Sequence, residues 1–334
     1  MINLGIIGYG YWGPNVARNV NNCRGINLVS ICDINESRLK LAELTYPFVK
    51  AYADPNELIN SDEIQAVAIV TPVFAHYELA KSALEKGKHI FVEKPFTSNV
   101  RQAEELINLA HKNKLIIMVD HTFLFTGAVR KIREIIDSHE LGDLFFYDSV
   151  RVNLGLFQHD INVVWDLAPH DFSIMNYLIA KDPVAISAQG TEHFGRGMED
   201  VAFIAAHFNN GFIAHFHCNW LSPVKIRRTI ISGDKKMLVW DDLVSDEKIK
   251  IYDRGVEFND PNGIHKLLVS YRSGDMYAPY ICNTEALQLE AEYFSECVEK
   301  NVEPFNNGEA GLKVVKMLEA TDKSLRNGGG KFKI

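Results

Sequence analysis

Short apolar runs rich in β-branched residues alternate with amphipathic stretches of helical length along the first 120 residues. Met1 to Ile7, Ile26 to Cys32, Phe48 to Tyr52, Ala66 to Val70, His89 to Val92 and Leu115 to Val119 are the strand-like runs. Between them, apolar residues recur at three- and four-residue spacing over Pro14 onward, Glu36 to Leu44, Ala75 to Lys86 and Val100 to Lys112, which predicts helices. Ala66-Val67-Ala68-Ile69-Val70 has no polar face, as expected of a parallel strand covered on both sides. Strands alternating with helices of this length predict an α/β region with a doubly wound parallel sheet over residues 1–121.

The pattern then changes, and residues 122–334 predict an α+β domain. Ala128 to Ser138 reads as a helix and Leu144 to Val152 as a strand with one solvated face. Asp166 to Ile179 reads as a helix, with Pro169 tolerable only in its first turn. Four strand-like runs follow, Ala185 to Gly190, Val201 to Phe208, Phe212 to Trp220 and Arg228 to Ser232, with Asn209-Asn210-Gly211 as a hairpin turn. Hairpin-linked strands predict a mostly antiparallel, open-faced sheet. Glu285 to Lys300 and Glu309 to Arg326 read as helices, and Gly328-Gly329-Gly330 as the end of the ordered chain.

Composition narrows the function class. At 334 residues the chain can bury two cores, and its net charge of −8 argues against nucleic acid as a partner. The five cysteines, Cys23, Cys32, Cys218, Cys282 and Cys297, show no C-x-x-C and an odd count, so neither a disulfide framework nor a zinc site is expected. The chain enters its first strand at once, leaving no room for a signal peptide, and it lacks a run long enough to cross a bilayer. A cytoplasmic protein with no membrane partner is expected.

Candidate chemistry starts at Gly8-Tyr9-Gly10-Tyr11-Trp12-Gly13, a G-x-G-x-x-G between a strand and a helix. Gly8 allows the turn, Gly10 lets backbone approach a pyrophosphate, and Gly13 lets the helix lie close to the strand. The free N–H groups at the helix start then face the phosphates. Asp33 follows Gly13 by twenty residues and ends the second strand, where a carboxylate grips the adenosine ribose hydroxyls. A carboxylate repels a 2′-phosphate, so the expected cofactor is NAD over NADP; Ile34 adjoins it, and Arg38 could undermine the preference by folding back. Thr71-Pro72 with His76 should flank the cofactor opposite the glycine loop.

Glu93-Lys94-Pro95 follows a parallel strand, placing Lys94 where ligands of open sheets bind. A lysine there can hydrogen-bond a reacting hydroxyl; taken alone it also reads as a surface residue of a Pro-terminated loop. Asp166 and His170 are four apart and share a helix face, an arrangement that raises the basicity of an imidazole and orients it. The plainer alternative is an acidic helix start and a core histidine. Such a pair can also bind metal, but it lacks a convincing third ligand. Arg151 and Asn153 end a strand and could reach a substrate, although a solvated strand face is the simpler account of Arg151. Lys225, Arg227 and Arg228 form a small basic cluster.

Together the glycine loop, Thr71-Pro72 with His76, Glu93-Lys94-Pro95, and Asp166 with His170 resemble the glucose-fructose oxidoreductase / inositol dehydrogenase / MocA family over essentially the whole chain. The resemblance implies an NAD-dependent oxidoreductase acting on a CH–OH group, with a Rossmann domain and a substrate-binding, oligomerising second domain. It implies that Lys94 holds the reacting hydroxyl, Asp166 orients it and His170 is the acid/base, and that the protein is a homodimer or homotetramer. Within the family, Gly10-Tyr11-Trp12-Gly13-Pro14-Asn15, Asp120-His121-Thr122-Phe123-Leu124-Phe125, Arg151-Val152-Asn153-Leu154-Gly155 and Trp165 to Asp171 are similar to dehydrogenases of nucleotide sugars, UDP-N-acetylglucosamine 3-dehydrogenases above all. Their small-molecule substrate would be oxidised to a 3-keto sugar. The alternatives are the reverse reduction, an inositol or free-sugar dehydrogenase, or a non-enzymatic nicotinamide redox sensor.

Overall fold

The computed structural model describes residues 1–155, 158, 160–258 and 269–334, without the side chains of 256–258 and 269–271. The chain divides into two compact units, Met1–Thr126 with Thr284–Glu319 and Gly127–Asn283 with Ala320–Ile334.

The first unit runs β1 (Ile2–Ile7), α1 (Gly13–Asn22), β2 (Ile26–Cys32), α2 (Glu36–Thr45), β3 (Lys50–Tyr52), α3 (Pro55–Ile59), β4 (Ala66–Ile69), α4 (Val73–Glu85), β5 (His89–Glu93), α5 (Val100–Asn113) and β6 (Ile117–Asp120), then a 3-10 turn over Thr122–Phe125. Its six strands are all parallel in the order β3-β2-β1-β4-β5-β6. β1 therefore pairs with β2 on one side and β4 on the other, and the crevice beyond that reversal is where ligands of such sheets bind. All four residues of β4 are buried, as its unbroken apolar run predicts. Helix α1 starts at Gly13 with Pro14 in its first turn and no side-chain cap, which leaves its first N–H groups available.

The second unit holds α6 (Gly127–Asp137), β7 (Leu144–Leu154), α7 (Val163–Leu178), β8 (Ala185–Thr191), β9 (Val201–His207), β10 (Ile213–Asn219), β11 (Leu221–Gly233), β12 (Met237–Asp241), β13 (Ile249–Phe258) and β14 (Val269–Tyr277). Helices α8 (Ala286–Lys300) and α9 (Gly308–Arg326) and strand β15 (Phe332–Lys333) complete the chain. The second sheet has the order β14-β13-β12-β11-β7-β10-β9-β8-β15 and is antiparallel except where β10 runs parallel to β7. Helix α7 covers one face, with Phe172 edge-on to Phe216 at 4.9 Å between ring centroids. Gly211 turns the β9–β10 hairpin with a φ of 81°.

Three expectations are corrected. The domain boundary at 121/122 fails for Thr284–Glu319, because Leu287, Ala291, Phe294 and Cys297 of α8 enter the core built on β1 and β2. Helix α7 begins at Val163, capped by Asn162, whose side chain accepts from Trp165 N–H at 3.1 Å, so Pro169 lies inside the helix. The glycine run does not end the ordered chain, since Phe332 and Lys333 pair with β8. Strands β12 to β14 lie outside the strand-like runs named from the sequence: β12 is a short apolar run, Met237–Asp241, and β13 and β14 intersperse apolar residues with charged and polar ones.

Candidate active site

In the first unit the site is built from loops that follow parallel strands. Gly8 has a φ of 101°, and a Cβ there would sit 2.2 Å from the Val70 carbonyl oxygen, so the loops after β1 and β4 touch. A Cβ on Gly13 would lie 2.5 Å from the Gly8 oxygen. At Gly10 no protein atom beyond its two chain neighbours lies within 4 Å of that position, leaving the backbone open to a ligand. Asp33 is fixed at the end of β2: Oδ2 accepts from Tyr9 N–H at 2.6 Å and Oδ1 from Asn35 N–H at 2.8 Å. Tyr11, Trp12, Ile34 and Phe74 are exposed apolar side chains on the segments that follow β1, β2 and β4, and the buried Thr71 Oγ1 has no partner. An open glycine backbone, a pinned carboxylate and an orphaned hydroxyl fit a dinucleotide.

His76 is placed differently from its expected role. It is fully buried, with Nδ1 2.9 Å from the Pro95 oxygen and Nε2 2.8 Å from the Thr71 oxygen. Burial holds its imidazole below the ordinary value. It braces the loop carrying Lys94 against the end of β4 and cannot itself meet a cofactor. Arg38 is exposed on α2, its N–H capped by Asn35. Lys94 is half-buried, and its backbone N–H donates to Glu93 Oε2 at 3.2 Å.

Glu93 and Asp120 close β5 and β6 in register with one another. Their side chains meet, and Asp120 also meets Glu290 of α8. Burial, then the neighbouring Asp120, holds both Glu93 and Glu290 well above the usual carboxylate range. His121 is 1% exposed, both ring nitrogens lack partners, and burial pushes it down to about 4. The participation of Glu290 is beyond what the motifs show. Its signal was positional: an ionisable residue on the Leu287, Ala291, Phe294 stripe of α8, where only apolar residues belong.

In the second unit Asp166 and His170 are half-buried one turn apart on α7. Asp166 Oδ2 accepts from Trp220 Nε1 at 3.0 Å, which fixes the carboxylate. Trp220 follows β10, and nothing local in the sequence joins it to Asp166. Arg151 is neither solvated nor directed to a substrate. It is buried, its Nε 2.8 Å from Asp171 Oδ2 and its Nη2 3.0 Å from Asp171 Oδ1. Burial opposes the cation, but Asp171 outweighs it and holds Arg151 above its ordinary value. Ser149 Oγ also donates to Asp171, at 3.1 Å. Asn153 is half-buried near the end of β7, and Lys225 and Arg228 are exposed on β11. Arg227 pairs with Asp242 at 3.5 Å.

A parallel sheet with a glycine loop at its switch point defines a dinucleotide-binding fold, and the second unit carries a carboxylate and an imidazole one turn apart on α7. Residues 2–121 match the oxidoreductase family with NAD-binding Rossmann fold, and residues 129–239 match the GFO/IDH/MocA C-terminal domain. The chain belongs to the GFO/IDH/MocA oxidoreductases. Over 227 residues it is 26% identical to myo-inositol 2-dehydrogenase of Thermotoga maritima, covering 63% of this chain and 66% of that enzyme, just under two thirds of its length. Its fold is similar to that of UDP-N-acetylglucosamine 3-dehydrogenase GnnA from Acidithiobacillus ferrooxidans, with a TM-score of 0.80, 24% identity and 98% of each chain covered. It is also similar to a putative NADPH-dependent oxidoreductase from Desulfitobacterium hafniense, with a TM-score of 0.84, 20% identity, and 99% of this chain and 97% of that one covered. Among the described residues no helix is long and apolar enough to cross a membrane.

Proposed function

We propose that the chain oxidises a secondary hydroxyl of a nucleotide sugar, the C3 hydroxyl of UDP-N-acetylglucosamine, to the ketone, with NAD as the acceptor. The observation that carries the chemistry is the half-buried Asp166–His170 pair, with Asp166 anchored by Trp220. NAD, when bound, supplies the hydride acceptor. Gly8, Gly10, Tyr11, Trp12 and Gly13 would hold its pyrophosphate and Asp33 and Ile34 its ribose, with Thr71, Pro72, Glu93 and Lys94 as the further residues that would bind it. The preference for NAD over NADP rests on the pinned Asp33 carboxylate.

Lys94 donates to the reacting oxygen and stabilises the charge that develops as its proton leaves. His170 takes that proton, and Asp166 orients the hydroxyl and raises the imidazole's basicity. Asn153, Lys225 and Arg228 are the remaining donors for the sugar and diphosphate, since Arg151 is occupied by Asp171. That loss of a basic candidate, together with the relative from Thermotoga, favours a second reading: oxidation of an inositol or free sugar. The face of the second sheet that exposes Phe203 and Ile213 is the surface for a homodimer or homotetramer.

The test is a panel of UDP- and dTDP-sugars, inositols and free sugars with NAD, in multiple- and single-turnover modes. UDP-N-acetylglucosamine should turn over best, and Lys94→Ala and His170→Ala should each lower the rate by roughly 10²–10⁴-fold. Turnover of inositol alone moves the substrate to the second reading. Unchanged rates in both variants overturn the mechanism.

A further inference from the structure

Three carboxyls lie in a row beneath the C-terminal edge of the first sheet. Glu93 meets Asp120, and Asp120 meets Glu290. Glu93 keeps part of its surface open while its Oε1 is buried, and Glu290 is fully buried. If all three were ionised, Glu93 Oε1, Asp120 Oδ2 and Glu290 Oε2 would be buried acceptors without a donor. A carboxylate only accepts, so each carboxyl–carboxyl contact requires a proton between its oxygens.

Other groups around the row do not remove that need. Thr122 Oγ1 donates to Asp120 Oδ1, and Asn306 Nδ2 donates to Glu290 Oε1 at 3.0 Å and to the Val119 oxygen at 2.9 Å. The Lys94 backbone N–H reaches Glu93 Oε2. The charged and titratable neighbours are the Lys94 ammonium, on the loop after β5, and His121, which leads into the 3-10 turn. His121 is kept neutral by burial, and both of its buried ring nitrogens lack a hydrogen-bond partner.

We propose that Glu93, Asp120 and Glu290 act as one proton-holding unit whose charge answers that of the nicotinamide, keeping a proton with the reduced cofactor that it releases with the oxidised one. The inference rests on the cofactor reading above. Glu93 and Asp120 end the strands at the edge where such ligands bind, and Glu93 is only half-buried. The oxidised ring is a cation and the reduced ring is neutral. A cation near a shared proton expels it to the buffer; neutralising the ring lets one return. When an alcohol is oxidised, hydride goes to the ring and one proton is left over. The unit can take up that proton as the ring's charge disappears, so the buried site keeps its net charge. These residues act through the cofactor's field and the setting of Lys94; they are positioning groups for the proposed reaction.

The test uses the full chain and reads protons, independent of turnover. Calorimetric titrations with NAD⁺ and with NADH, in buffers of different ionisation enthalpy at one pH, give the proton count of each binding event. The counts should differ by a substantial fraction of one proton, with NAD⁺ releasing more. The affinity ratio should move by up to tenfold per pH unit in favour of NAD⁺ as pH rises. The infrared difference spectrum between the two bound forms should show the carbonyl band of a protonated carboxylic acid. Asp120→Asn and Glu290→Gln, which keep volume and hydrogen bonding, should shrink the proton difference and weaken that band. Equal counts with both forms bound, or no carboxylic-acid band in the wild-type protein, overturn the proposal while leaving the cofactor reading intact. A difference and band unchanged in a folded variant also overturn it. Failure of both forms to bind overturns the cofactor reading and this inference together.

Discussion

The two units bury charge in opposite ways. In the second, Arg151 and Asp171 form a bidentate pair with Ser149 as an additional donor, so the buried cation and anion satisfy each other. In the first, Glu93, Asp120 and Glu290 stack like charges, and the neutral His121 sits beside them with both nitrogens orphaned. A paired buried charge stabilises a fold by having no alternative state, whereas carboxyls that share protons can change state when a neighbour's charge changes. The first unit is thus the one whose site is electrically adjustable. The second holds Asp166 and His170 on the same helix as Asp171 of the closed ion pair.

The largest effect should follow from opening that closed pair. Arg151→Met leaves Asp171 buried without its cation and should destabilise the protein by about 3–5 kcal/mol. Chemical denaturation followed by tryptophan fluorescence checks it; a loss below ~1 kcal/mol would mean that the pair is not the anchor described. Asp171→Asn keeps an acceptor for the guanidinium but leaves the cation buried without its anion, so it should destabilise as well.

The adjustable unit should instead show itself in pH dependence. His121 titrates near 4 in the folded state against an ordinary 6.5, so the unfolded chain binds its proton first as pH falls. Stability should be lost from about pH 6.5 down toward 4, on the order of 3 kcal/mol across the whole interval. Glu93 and Glu290 act oppositely: their raised values favour the folded state at low pH, and that contribution declines as pH rises through them. Thermal melting between pH 4 and 7 should therefore fall on the acid side less steeply in His121→Gln than in the wild-type protein. Parallel curves would show that His121 is not the group responsible.

Two smaller effects separate the units at the residues of the proposed site. Asp33→Asn removes the charge that opposes a 2′-phosphate and should shift the NAD-to-NADP affinity ratio about tenfold, ~1.4 kcal/mol, toward NADP. An unchanged ratio would assign the preference elsewhere. Trp220→Phe removes the donor to Asp166 at a cost of about 1 kcal/mol and should lower turnover several-fold with little change in NAD affinity. If NAD affinity fell instead, the indole would be acting on the fold and not on the pair.

Much of the first unit was legible before the structure because its signals are local. A strand, a glycine loop and a helix start lie within some twenty residues, and the unbroken apolar run of β4 identifies a covered parallel strand. The second unit was legible at α7 and the β9–β10 hairpin, where spacing and turn chemistry speak for themselves. It was illegible at β12 to β14, where a short apolar run is followed by strands that mix apolar with charged and polar residues, although each pairs with the strand just before it in the chain. Pro169 misled because helix α7 starts three residues before the expected position and accommodates the ring in its interior.

The amino-acid order alone determined the class of both sheets, the dinucleotide loop with Asp33, and the Asp166–His170 spacing, since each depends on residues a few positions apart. Tertiary structure alone decided that α8 belongs with the first unit and that Arg151 is consumed by Asp171. It likewise decided that His76 braces a loop, and that Glu290 completes a carboxyl row with residues about 170 and 200 positions earlier. Charge and proton occupancy in a buried site depend on which side chains meet and how little water reaches them, and no local pattern encodes either.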